Sequence, residues 1–283
     1  MVLNPRSYLI LILAICLASC APDVITTPTN AGSPSLTFIS PTFTSTPTET
    51  STPTLPPTLT PLQANEKIRA YMQEVVDCPA PCFWGIAPGQ TQFAEATNIF
   101  SFLGLQLEQT NARDNQKFYA ANYHPEEGLE ISIILTVQDS IIKALDVGMN
   151  IPSETGVSRK WSAYSPETLT RRYGAPSRVE FSLGRAAPNP SHSMILYFEN
   201  VDMIILYLGQ WDGFLKNSDT LELCPLTNEV DFIKIWMGNE PRYPPPPNVP
   251  LEEATSLTIE EFSKLLTGDP DKACFSLKDE AFP

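Results

Sequence analysis

Two cysteines four positions apart, Cys78 and Cys82 in the run CPAPCFWGI, are the residues whose type and spacing first suggest chemistry. Thiols so placed serve redox exchange, metal binding or a short disulfide ring. A C-x-x-C redox pair stands at a strand-to-helix junction, and a copper-binding C-x-x-x-C pair, whose spacing this run shares, is followed by proline. Here Phe83 follows the second cysteine and the residues ahead of the first read as a helix. Pro79 and Pro81 leave the loop few shapes, which suits a closed ring, so the run reads as a staple. Cys224 and Cys274 complete an even set of four, which in an exported domain argues for two disulfides. Three pairings are open. Cys78–Cys82 and Cys224–Cys274 are expected, because the sequence forces the first pair close and the second brackets the C-terminal part. Loop closure assigns about 2 kcal/mol to the shorter bridge and about 4 to the longer.

Other chemistry finds less support. The two histidines, His124 and His192, sit beside turn residues and belong to neither H-x-x-x-H nor C-x-x-H spacing, which points away from zinc. No G-x-S-x-G elbow accompanies them, and both read as surface-loop histidines. The pairs Glu126-Glu127, Glu252-Glu253 and Glu260-Glu261 could serve glycoside hydrolysis, which needs two carboxyl groups about 5–10 Å apart. Adjacent glutamates in turns or at helix starts are ordinarily solvated faces, and nothing raises one pair above the others. Trp84, Trp161, Trp211 and Trp236 would make a platform for protein or carbohydrate if several faced outward on a sheet; core packing is the plainer reading. No catalytic, metal or cofactor residues are assigned, and no cofactor is expected.

The elements that must position these residues follow from periodicity. Ile68, Met72, Val75 and Val76 fall at helical spacing, predicting a helix over 63–76. Thr91 is a good N-cap for a helix over 93–103, closed by Gly104. Strands are expected at 118–123, 129–137 and 141–149, an antiparallel meander divided by turn residues. A second helix opens at Ser165-Pro166-Glu167 with a serine cap and proline in the first turn, and strands follow at 178–182, 194–199 and 203–208. Helix, glycine and strands thus occur twice, suggesting a duplication. Beyond 211 come a strand over 230–237, the run PRYPPPP, which reads as a rigid connector, and a helix over 259–266 capped by Thr258.

The N-terminus adds an address. Arg6 precedes an apolar run from Tyr8 to Leu17, the layout of a secretory signal and too short for the roughly 20 residues of a spanning helix. Leu17-Ala18-Ser19-Cys20 resembles the lipobox of bacterial lipoproteins. That resemblance implies cleavage after residue 19 and acylation of Cys20, which would hold the protein on a membrane. From 21 to 62, 27 of 42 residues are Thr, Pro or Ser and none is basic. Such a composition reads as an extended, disordered tether. Setting Arg6, Asp23 and Glu49 aside leaves 63–283 with a net charge of −13 out of the chain's −14, which argues against nucleic acid as a partner.

The stretch 165-SPETLTRRYGAPSRVEF-181 resembles the helix-G-x-P-strand signature of the small lipoproteins of the outer-membrane assembly machinery, the BamE/SmpA group. Gly85-Ile86-x-Pro88-Gly89-x-Thr91 is similar to the entry of the same helix, although Leu105-Gln106 stand where the pattern has proline. The resemblance covers residues 83–210 and extends to the tandem fold of β-lactamase inhibitor protein. It implies helices packed on a curved sheet and a non-enzymatic, protein-binding scaffold. The expected fold is α+β: tandem helix-plus-antiparallel-meander repeats over 83–150 and 160–210, with a C-terminal extension over 211–283. The expected organisation is a signal peptide over 1–19, acylated Cys20 and tether over 20–62, and one domain over 63–283. The expected function is a membrane-anchored, extracytoplasmic binding domain for a protein or envelope polymer. The rival is an envelope hydrolase; a solute-binding protein would need two lobes with parallel sheets, which this strand order does not supply.

Overall fold

The computed structural model describes residues 57–74, 81–126, 129–150, 161–184, 191–210, 221–226, 230–238, 248–269 and 273–282, all within one compact unit spanning Pro53–Pro283. It is mixed α and β, dominated by a large antiparallel sheet with a few helices. The strands β1 (Glu108–Arg113), β2 (Gln116–Glu126), β3 (Leu129–Gln138) and β4 (Ile141–Asn150) form a meander. Between β3 and β4, Asp139 and Ser140 both take positive φ, 52° and 63°. This two-residue turn matches the twist of antiparallel strands, and short polar side chains tolerate it. The strands β5 (Arg178–Gly184), β6 (Ser191–Phe198) and β7 (Met203–Gln210) make a second meander.

A late segment joins the two. Strand β9 (Phe232–Gly238) pairs with β7 on one side and with β4 on the other, in register from Ala144↔Gly238 to Asn150↔Phe232. The two-residue β10 (Val249–Pro250) lies on β5, and the order is β1-β2-β3-β4-β9-β7-β6-β5-β10. The stretch expected as an extension therefore supplies the middle of the sheet. Gly238 closes β9 at φ 87°, and a Cβ there would overlap the Lys143 carbonyl oxygen. A separate antiparallel pair, β8 (Leu221–Leu223) and β11 (Phe275–Leu277), is clasped by the Cys224–Cys274 disulfide, whose Cα atoms are 4.1 Å apart.

Helix α1 (Pro61–Gln73) begins earlier than its apolar period implies, because Thr60 and Gln63 form a capping box ahead of it; residues 75–80, including Cys78, lie outside the described residues. Helix α2 (Phe93–Phe102) has Gln92 at its N-cap in place of the expected Thr91. The Thr91 hydroxyl instead accepts a bond from the Ala87 amide (2.9 Å), and its carbonyl accepts one from the Ile142 amide (3.0 Å). Thr91 thereby ties the turn before α2 to β4. Helix α3 (Pro166–Tyr173) starts at the Ser165 cap with Pro166 in the first turn and stops at Gly174, as its residues predict. The short α4 (Leu251–Ala254) follows β10, and α5 (Ile259–Thr267) opens with a Thr258–Glu261 capping box.

All of these elements pack against one face of the sheet. That face carries Ile131, Ile133, Leu145, Val147, Ile233, Ile235, Ile205, Leu196, Val179 and Phe181 in cross-strand register. Against it lie Ile68 and Met72 of α1, Ala96 and Phe100 of α2, Leu169 of α3, and Phe262 and Leu266 of α5. Each buried large side chain contributes about 1.5–3 kcal/mol. The CFWGI half of the opening run enters this core. Phe83 and Ile86 exchange backbone bonds (3.0 and 2.9 Å) around Trp84 and Gly85, both at positive φ. A left-handed backbone at a bulky residue costs about 1–2 kcal/mol. Burial offsets it: the indole is 1% exposed, stacks on Phe83 at 4.7 Å and donates to Met72 Sδ.

Candidate binding surface

Strand residues between those core positions point to the second face of the sheet. Along one row, Asp146 on β4 stands opposite Trp236 on β9, followed by Ile204 on β7, Tyr197 on β6 and Arg178 on β5. The next row runs Gly148, Lys234, Leu206, Ile195 and Glu180; the third runs Asn150, Phe232, Leu208, Ser193 and Ser182. Their apolar members come from strands whose two alternating sets are both hydrophobic, as in MIILYLGQ of β7 and HSMILYF of β6. The second face therefore carries apolar side chains as well as the helix-covered one.

Charged groups on this face are paired and lie over aromatic rings. Lys234 Nζ pairs with Asp146 Oδ1 and sits 5.9 Å from the Trp236 ring. The Arg178 guanidinium lies 3.8 Å from the Tyr197 ring and 3.5 Å from Glu180, which accepts the Tyr197 hydroxyl proton at 2.9 Å. Burial and that bond to Glu180 push the Tyr197 phenol up to about 12, with Arg178 working against them. On this face Ile195 is 0% and Trp236 and Tyr197 are 6% exposed, whereas Leu208 is 37% exposed. Phe232 and Lys234 pack over Gly148, where a side chain would meet the Phe232 ring at 3.5 Å. The second face thus has an apolar centre between two polar clasps, Asp146 with Lys234 and Arg178 with Glu180.

The residues singled out from sequence are scattered. Cys20, Cys78, Trp211, Glu127 and the PRYPPPP run lie outside the described residues. Cys82 is disulfide-bonded and buried, beside a cavity of about 20 Å³ that Tyr164, Leu169, Arg172 and Met203 also line, room for about one water. His124 is exposed on β2. His192 is no loop residue: it belongs to β6, faces the helix side opposite Leu183 and is buried, which lowers its pKa to about 4. Glu252 and Glu253 are exposed on α4. Glu261 is used at the α5 cap, where the bond from the Thr258 amide lowers its pKa. Trp84 and Trp161 are buried in the core.

Among the described residues no group of three or more His, Cys, Asp or Glu side chains is placed to hold a metal ion, and no helix is long and apolar enough to cross a membrane. Sequence reading missed Asp146, Lys234, Arg178, Glu180 and Tyr197. The signal was available for Lys234, the lone charge in FIKIWMG, and for Asp146, the lone acid in IIKALDVGMN. Compared with known proteins, the chain matches no family model, no curated protein and no solved structure.

Proposed function

We propose that the chain is a membrane-anchored extracytoplasmic lipoprotein. Residues 1–19 act as its signal, Cys20 carries its lipid, and residues 20–62 form a tether. Residues 63–283 form a non-catalytic domain that binds a protein or an envelope polymer through the second face of the sheet. The observation that carries the reading is the asymmetry of the layers: α1, α2, α3 and α5 all pack into the core on one side, and the apolar centre around Ile204, Leu206 and Leu208 lies on the other. The resemblance to the outer-membrane assembly lipoproteins supports it. We read α2 with β1 to β4, and α3 with β5 to β7, as two fused repeats of one plan, which accords with it. The rival reading, an envelope hydrolase, draws less support: His192 is buried, Glu252 and Glu253 are exposed on a short helix, and Glu261 caps α5.

A photocrosslinking residue at Leu208, in the native host, tests the surface. A reproducible adduct at 208 that is absent when the crosslinker sits at Glu253 is expected; equal adducts at both positions, or none, would overturn the reading. Cys20→Ser tests the anchor separately: the protein should leave the membrane fraction, and unchanged membrane retention with normal processing would sink the lipoprotein assignment.

A further inference from the structure

The two ends of the nine-stranded sheet are built differently. At one end β10 is two residues long and one of them is Pro250, a short, proline-bearing edge that discourages further pairing. At the other end β1 runs for six residues, EQTNAR, every one exposed and none proline or lysine. Among the described residues no strand pairs beyond it. Such an edge presents unpaired backbone groups that template an added strand. The Ala112 amide is met by the Asn111 side chain at 2.7 Å, a local substitute that another strand's carbonyl can replace.

We propose that β1 is a docking edge for a second copy of this chain, the two β1 strands pairing antiparallel about a two-fold axis between Thr110 and Asn111. The strand is its own electrostatic complement. In this register Glu108 stands opposite Arg113 of the partner subunit at both ends, and opposite charges across antiparallel strands attract. A register one residue longer would set Glu108 against Asp114 of the partner subunit, two like charges. The irregularity between Gln109 and Asn111, which leaves Thr110 as the extra residue of a bulge, falls at the axis, so the two bulges meet each other and neither faces a regular ladder. Arg113 is only loosely engaged within its own chain, 3.9 Å from Asp114 with both side chains largely exposed, and a surface pair of that kind adds little. The inference stands apart from the second-face reading, because it uses the edge of the sheet and neither of its faces.

The test is sedimentation equilibrium of the full chain in density-matched detergent, for the wild type, Glu108→Arg, Arg113→Glu and an equimolar mixture of the two variants. Wild-type self-association is expected, weakened roughly tenfold in each variant by two like-charge contacts. The mixture should recover it as a heterodimer, since a chain with two basic ends then meets one with two acidic ends. The double variant Glu108→Arg/Arg113→Glu should recover it alone. A monomeric wild type, variants that associate like the wild type, or a mixture that fails to recover would each overturn the proposal.

Discussion

Strand β6 has seven of its eight residues buried, whereas every residue of β1 is exposed. Both belong to the same sheet and both follow a helix-led meander. The difference comes from position in the strand order. With β5 and β7 on its flanks, β6 sends Met194, Leu196 and Phe198 into the helix-side core and Ile195 and Tyr197 to the second face. With β2 as its one partner among the described residues, β1 has all six of its residues exposed. Burial in this molecule therefore follows where a strand is placed: β6 is interior and β1 is a border.

The comparison can be broken most severely at the clasp of the tail. Replacing both cysteines, Cys224→Ser/Cys274→Ser, should lower stability by about 4 kcal/mol, read as a fall in the urea midpoint. Hydrogen exchange should quicken at β5 and β6 before it does at β1 to β4; uniform quickening would mean the two meanders unfold as one. Next comes a contrast of single residues. Ile195→Ala should cost about 2–5 kcal/mol although it lies outside the helix-side core, while Thr110→Ala on β1 should stay within about 0.5 kcal/mol. Equal costs would dissolve the distinction between interior and border.

Acid should act on the interior strand and leave the border alone. His192 has a folded pKa of about 4, below its unfolded 6.5, because burial disfavours the cation. Between those values the unfolded chain takes up a proton that the folded chain refuses. The stability is therefore full above pH 6.5 and lost as pH falls towards 4, by on the order of 3 kcal/mol. His192→Gln should flatten that part of the pH profile, and an unchanged slope would assign it elsewhere. The smallest effect belongs to the second face. Arg178→Ala removes the stacking on Tyr197 and should cost about 0.5–1 kcal/mol, with the Tyr197 phenol still titrating above its ordinary value by ultraviolet absorbance, since burial is the larger cause.

Local chemistry was readable wherever it was self-contained. Ser165-Pro166 announces α3, Thr258 with Glu261 announces α5, and Asp139-Ser140 announces the turn into β4, because each signal lies within four residues of its effect. Strand β1 carried none: EQTNAR is polar on both faces, and its pairing with β2 is what makes it a strand. The place of His192 was hidden by Asn189-Pro190-Ser191, which read as a loop while β6 begins at Ser191. Thr91 looked like a helix cap, and its hydroxyl is taken by the Ala87 amide while its carbonyl is bonded to β4. The second face stayed illegible because its rows are assembled from five strands far apart in sequence, so no short window contains them.

The late strand in the middle of the sheet also sets an order of events in time. During synthesis β1 to β4 and β5 to β7 emerge first, yet the ladders that unite them exist only once Phe232–Gly238 has appeared. Until then each meander has an unpaired edge, β4 on one and β7 on the other, and these are the edges a stray strand could occupy. Folding dominated by such distant pairings is slow. The molecule closes like an arch whose keystone is among the last stones cut, and a nascent chain must keep both shoulders apart from other strands until it arrives.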